Sequence, residues 1–308
     1  MAREQHKLLI VTQPTRLEEL KQKFNTEAQA RFYVECLGAD FEDYRREDDA
    51  YRRSLDRVYA CAEACARVQV VPRGFLPNLV LGDRDTVIAL GRDGLVANTM
   101  KYLRGQSLLG VNPDPARWDG RLLPFRAGEL ERVLPQVLQG RRNTRAVTMA
   151  RAETRDGQVL YAANDFFLGI RDHRSARYEL QYRSKREYQS SSGVIVSTGL
   201  GMTGWYASVM AQARGMARTF GVELPREPAL DWSDRKLRFC VREPYPSRTT
   251  GTDLVWGELG DGEELILRSD MARDGVLFSD GMLDDAVAFP SGMEVRISVA
   301  SRQGRLVI

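Results

Sequence analysis

Between Thr86 and Val111 the chain passes from one short apolar strand, through a glycine-flanked turn and a helical pattern, into a second short apolar strand. Thr86-Val87-Ile88-Ala89-Leu90 and Leu108-Leu109-Gly110-Val111 show no polar alternation, as expected of strands buried on both faces. Between them, Gly91-Arg92-Asp93-Gly94 leads into Leu95, Val96, Met100, Tyr102 and Leu103 at helical spacing, with Gly105 as the stop. Such a βαβ unit joins parallel strands through a right-handed crossover. It predicts an open, mainly parallel α/β fold for the first part of the chain.

The flanking sequence agrees. Lys7-Leu8-Leu9-Ile10-Val11 and Arg67-Val68-Gln69-Val70-Val71 read as two further strands. Thr15-Arg16-Leu17-Glu18 and Thr26-Glu27-Ala28-Gln29 have the spacing of capping boxes, each opening a helix, the second ending near Gly38. Phe41, Tyr44, Tyr51, Leu55, Val58 and Tyr59 recur at helical spacing among charges, predicting a long amphipathic helix.

After about Phe125 the pattern changes. One helical segment, Glu129 to Leu138, is followed by short strand-like runs at 146–153, 158–163, 176–182, 193–197, 236–241, 254–256, 265–267 and 295–299. One helix, Thr203 to Arg218, interrupts them. With 308 residues, two domains are expected: residues 1–125 as an α/β nucleotide-binding domain and 126–308 as a β-rich domain.

Charge excludes some functions. Lys plus Arg number 45 against 42 Asp plus Glu, and the densest charge run, Glu42 to Arg57, mixes both signs. That is a solvated helix face, not the basic stripe of a nucleic-acid binder. The polar opening, Met1 to Lys7, does not read as a signal peptide, and no apolar run is long enough to cross a bilayer. The four sparse cysteines suit a reducing compartment, so a cytoplasmic protein is expected, with no membrane or nucleic-acid partner. Cys61 and Cys65 lie one helical turn apart without a His or Cys cluster around them, and read as small core residues.

Two histidines, His6 and His173, leave little for a histidine-centred mechanism, so a base is sought among carboxylates. The loop Gly91–Gly94 lies at the carboxyl end of a parallel strand, where open α/β sheets bind ligands. Gly91 would let a phosphate approach the main chain, and Gly94 would open a helix whose N–H groups and dipole favour an anion. Asp93 could then accept a hydroxyl proton or orient Mg2+. The tetrapeptide alone also suits an ordinary strand-to-helix turn. A second segment, Ser191 to Trp205, runs from an apolar strand through a Thr/Gly loop into a helix, a setting for cradling phosphate or ribose. Between the two lies Asn164-Asp165, an amide and a carboxylate for base or sugar recognition. Asp284-Asp285 reads as a solvated turn, and Arg171, Arg174 and Arg177 as a cationic rim.

Taken in order, the G-x-D-G turn, the Asn-acid pair and the Ser-Thr-x-x-Gly-x-Thr segment resemble the NAD kinase family, and the insertion-rich region before Val87 with Ser191-Ser192-Gly193 resembles its mitochondrial-type and bacterial sugar-kinase branches. The resemblance spans Leu8 to the C-terminus and is firmest from Val87 to Trp205. It implies an α/β domain followed by a β-rich one, Mg2+-dependent transfer from ATP to the adenosine 2′-hydroxyl of NAD, and a homodimer or homotetramer. Asp93 takes the family's catalytic aspartate position. Asn164 and Asp165 match its Asn-Glu pair, Thr198, Gly199, Gly201 and Thr203 its Thr/Gly loop, and Gly110-Val111-Asn112 its Gly-Ile-Asn strand end. Arg92 replaces a glycine, as a clasp for a triphosphate or as an obstruction. Ser192 stands where an acid is usual, and Leu200 and Met202 make the Thr/Gly loop more apolar. These departures leave open a kinase acting on another nucleoside, sugar or specialised metabolite, or a catalytically idle dinucleotide-binding protein.

Overall fold

The computed structural model describes residues 6–308; the polar stretch ahead of His6 lies outside the described residues. The chain divides into two compact units, one running to Arg145 and taking in Arg305–Ile308, the other Ala146–Gly304.

The first unit contains β1 (Lys7–Thr12), α1 (Arg16–Phe24), α2 (Glu27–Cys36), α3 (Phe41–Cys65), β2 (Arg67–Pro72), β3 (Thr86–Leu90), α4 (Asp93–Met100), β4 (Ser107–Asn112), β5 (Phe125–Arg126) and α5 (Leu130–Leu138). Its strands are parallel in the order β2-β1-β3-β4, and β4 pairs further with β5 and with Arg305 and Leu306. Every side chain of β3 is buried, which is why that run carries no polar residue beyond its first threonine. Leu8, Ile10, Ile88, Leu90, Leu109 and Val111 pack against Tyr51, Val58, Cys61 and Ala62 of α3 and Leu130, Val133 and Leu134 of α5. That packing draws α5 into this unit, so the unit boundary lies at Arg145, beyond the change of sequence pattern near Phe125. Both α1 and α2 open on the expected threonines: the Thr15 hydroxyl accepts from Glu18 N while Glu18 accepts from Thr15 N, and Thr26 accepts from Gln29 N.

The second unit is built from antiparallel strands. In chain order they are β6 (Thr144–Thr154), β7 (Val159–Ala162), β8 (Asp165–Ile170), β9 (Ala176–Tyr182), β10 (Lys185–Ser191) and β11 (Val194–Ser197). After α6 (Trp205–Thr219) come β12 (Leu237–Val241), β13 (Trp256–Leu259), β14 (Glu264–Ser269), β15 (Gly275–Ser279), β16 (Met282–Ala288) and β17 (Glu294–Val307). One sheet has the order β13-β12-β11-β8-β15-β16; β10, β9, β14 and β17 form the other, joined by the β6–β7 hairpin. Phe166, Leu168, Val194, Val196 and Phe239 face Tyr178, Leu180, Leu265, Leu267, Val295 and Ile297 in one core. The alternating burial of β14 follows from having one face in that core. On the other side of the first sheet, Phe167, Ile195 and Cys240 pack with Tyr206 and Trp205 of α6.

In the second unit four strands, β8, β10, β15 and β16, are not apparent from the sequence, and β13 begins at Trp256, where the run at 254–256 ends. Strand β10 is Lys-Arg-Glu-Tyr-Gln-Ser-Ser, whose outer residues lie at a sheet edge and need no apolar pattern. Asp284 and Asp285 lie within β16, also an edge strand, and not in a solvated turn. The last helix starts at Trp205, because Gly201–Thr203 forms a separate 3-10 turn. Among the described residues no helix is long and apolar enough to cross a membrane.

Candidate functional site

In the first unit the candidate residues gather at the carboxyl end of the parallel strands. Gly91 follows β3 and donates its N–H to Val111 O of β4 at 3.2 Å, so the two strand ends stay in register. Tyr51 of α3 fastens the same corner: its hydroxyl donates to Leu90 O at 2.9 Å and accepts from Gln13 N at 3.1 Å. Burial pushes that hydroxyl well above the usual tyrosine pKa, so it remains a neutral donor. A Cβ on Gly91 would come within 2.9 Å of the Gln13 and Leu95 side-chain ends, so a larger residue here would have to displace them. At Gly94 a Cβ would meet nothing, which leaves the first turn of α4 uncluttered.

Asp93 is the first residue of α4, with Arg92 as a helix cap that makes no side-chain capping bond. The Asp93 side chain is half-buried and forms a strap: Oδ1 accepts from Leu122 N at 2.9 Å and Oδ2 from Arg121 N at 3.1 Å. The strap is itself braced. Asn112 Nδ2 donates to Trp118 O at 2.8 Å, while Asn112 Oδ1 accepts from Asp114 N at 3.0 Å. Arg117 grips Asp43 of α3 with two donors, at 2.9 and 2.7 Å. That pairing, with Arg16 beside it, holds the Asp43 carboxyl far below the usual carboxylate range. A Cβ on Gly110 would stand 1.9 Å from Leu122 O, so glycine is required where the strap crosses β4. The Arg92 guanidinium lies over the Trp118 ring, 5.1 Å from its centroid, and makes no ion pair with Asp93.

In the second unit Asn164, Asp165, Thr198, Gly199 and Gly201 meet around one turn, whereas Ser192 lies at the other end of β11 from it. Asp280, in the β15–β16 hairpin, accepts from Ala163 N at 2.9 Å, Asn164 N at 2.7 Å and Asp165 N at 3.1 Å. The Thr198 hydroxyl donates to Ala163 O at 2.5 Å and accepts from Gly201 N at 3.3 Å; Thr198 N donates to Asn164 O at 2.8 Å. Thr198 is fully enclosed, so its hydroxyl holds the turn together. Gly199 and Gly201 are needed for close packing of main chain: added Cβ atoms would stand 2.1 Å from Asp231 O and 2.2 Å from Asn164 O. Thr203 is exposed beside the start of α6, and Ser192 N is bound to Arg242 O at 2.9 Å.

Asn164 and Asp165 keep free valences. Neither side chain makes a hydrogen bond to another described residue, and Asp165 is 7% exposed. Burial, then the Asp280 carboxylate, pushes the Asp165 carboxyl up to about 7. Near neutral pH it is therefore present both as an acceptor and as a hydroxyl donor. Leu200 is buried, and Met202 is half-buried against the Phe167–Ile195–Tyr206 cluster.

Asp280, Trp118 and Arg117 escape a sequence reading, as does the role of Tyr51 at this corner. Only Asp280-Gly281 leaves a local trace, an Asp-Gly turn between two strands, with Asp280 at φ 54°. Among the described residues no group of three or more His, Cys, Asp or Glu side chains could hold a metal ion. A magnesium ion carried by nucleotide phosphates needs only one or two carboxylates, a demand that Asp93 fits.

No protein-family model matches the chain, and none of the curated proteins matches it by sequence. Its fold has solved counterparts. The NAD kinase of Archaeoglobus fulgidus, in complex with ATP, aligns with a TM-score of 0.56 at 14% identity, over 98% of this chain and 93% of that one. Yeast NADH kinase, complexed with NADH, aligns with a TM-score of 0.59 at 14% identity, over 98% of this chain and 83% of that one. The chain thus has an NAD kinase-like fold, a parallel α/β unit with an antiparallel β unit.

Proposed function

We propose that the chain is an ATP-dependent phosphotransferase of the NAD kinase type, acting on the adenosine 2′-hydroxyl of NAD. The observation that carries this reading is Asp93: a carboxylate at the tip of a buried parallel strand, at the uncapped start of a helix, fixed by two main-chain N–H groups. Each of its oxygens has a second acceptor position, so the strap leaves Asp93 able to take a proton. The N–H groups at the start of α4 favour the phosphates of a nucleotide.

In the proposed reaction Asp93 accepts the proton of the acceptor hydroxyl. The hydroxyl oxygen forms a bond to the γ-phosphorus, the bond from that phosphorus to the β,γ-bridging oxygen breaks, and ADP leaves. Magnesium, when bound, neutralises phosphate charge. Asn164 and Asp165 are assigned to nucleoside hydroxyls: the amide both donates and accepts, and the protonated fraction of Asp165 adds a donor. Arg92, held on Trp118, is assigned to a phosphate oxygen.

The test is product formation. Purified chain with NAD and Mg-ATP should form NADP in proportion to protein concentration. A screen of nucleosides, sugars and other hydroxyl acceptors run beside it identifies another acceptor if NAD stays inert. ATP left intact with every acceptor overturns the assignment as a kinase.

A further inference from the structure

The arginines noted in the sequence at 174 and 177 line a cavity of about 440 Å³ in the second unit, together with Arg273, Ser175, Asp270 and Met271. The cavity lies where the loop between β8 and β9 meets the segment between β14 and β15. Asn164 and Asp165 precede β8 and begin it, so this cavity is at the opposite end of that strand from the candidate nucleoside turn.

Main-chain bonds join the two segments: Arg171 N donates to Asp274 O at 3.1 Å, and Asp270 N to Arg177 O at 2.9 Å. Arg174 is pinned by carboxylates, at 2.6 Å from Asp172 and 2.5 Å from Asp274, so its charge is largely offset. Arg177 and Arg273 form no ion pair among the described residues, yet both line the same cavity. The acidic lining group, Asp270, is engaged by the hydroxyls of Tyr188 and Ser291. Two guanidinium groups without an ion pair among the described residues thus share a concave space with one carboxylate, the Ser175 hydroxyl and an apolar wall. A volume of this size accommodates a small-molecule ligand. Planar guanidinium pairs match phosphate oxygens, which accept several N–H donors at once.

We infer that this cavity is a second anion site, recognising the phosphate or diphosphate group of a small molecule independently of Asp93. Arg177 and Arg273 hold the charge, and Ser175 donates its hydroxyl.

Calorimetric titration of the full chain with inorganic pyrophosphate at low ionic strength tests it. Wild-type protein and Asp93→Asn should both bind the probe, with affinity falling as salt is raised. The Arg177→Ala/Arg273→Ala double variant should bind at least tenfold more weakly. Ser175→Glu, which places a carboxylate in the cavity, should do the same. Thermal melting of each variant establishes that it is folded, as substitution of exposed side chains should allow. Pyrophosphate binding that is absent in wild type, unchanged in the double variant, or lost only in Asp93→Asn overturns the inference. NADP formation is not the readout, so its failure leaves this result separate.

Discussion

Replacing Asp165 by asparagine converts a burial cost into a measurable pH dependence. In the folded chain Asp165 titrates at about 7, against an ordinary value of 3.8, because it is buried and faces the Asp280 carboxylate. Cys240 is also close by, and burial pushes its thiol up to about 12, so it supplies no compensating charge. An unfolded chain releases the Asp165 proton near pH 4, whereas the native chain retains it until near neutrality. The stability associated with the protonated form is therefore complete below about pH 4 and is lost as pH rises through about 7. The window spans about three pH units at about 1.4 kcal/mol each, giving a loss of about 4 kcal/mol by pH 8. Asp165→Asn carries no ionisable proton there, so its stability relative to wild type should rise by about that amount between pH 4 and pH 8. Urea unfolding followed by tryptophan fluorescence is the assay. Three of the four tryptophans, Trp205, Trp232 and Trp256, belong to the same unit as Asp165, so the signal reports mainly on it. A difference between variant and wild type that stays flat across this range would show that folding does not shift the Asp165 titration.

Other substitutions probe the two turns. Asp93→Asn leaves one side-chain acceptor for the N–H groups of Arg121 and Leu122 and removes a charge from the start of α4; it should cost about 2 kcal/mol in urea unfolding. Unchanged stability would show that the strap does not depend on the carboxylate. Gly201→Ala puts a Cβ against Asn164 O and should cost about 3 kcal/mol. Gly215→Ala, within α6 and in open space, should instead raise the melting temperature through a gain of about 0.5–1 kcal/mol; equal effects of the two would contradict the packing argument. Asp280→Ala frees three main-chain N–H groups beside Asn164 and should weaken NAD binding at least tenfold in a thermal-shift titration, and unaltered binding would detach that turn from the nucleotide.

The buried parallel strands were legible because burial on both faces leaves an uninterrupted apolar run, as in β1, β3 and β4. The Thr15 capping box was legible because its partners are three residues apart. What escaped depends on distant contacts. Asp280 reaches Ala163 across 117 residues, and no local pattern announces that bond. Edge strands β10 and β16 hide their periodicity behind polar residues that one exposed edge tolerates. Leu200 and Met202 read in the sequence only as apolar loop residues; that Met202 leans on the Phe167–Ile195–Tyr206 cluster depends on neighbours distant along the chain. At the glycines the loop pattern was visible while its cause was not: 199 and 201 accommodate crossing main chain within the protein.

The most direct measurement is single-turnover phosphoryl transfer from γ-labelled ATP to NAD by wild-type protein, Asp93→Asn and Arg117→Ala. The last variant loosens the strap without touching the carboxylate. Proton acceptance by Asp93 predicts label in NADP with wild type, a rate reduced by at least a hundredfold in Asp93→Asn, and a much smaller loss in Arg117→Ala. Equal losses in the two variants would make Asp93 a brace and not a base, and label transferred at the wild-type rate by Asp93→Asn would contradict the account outright.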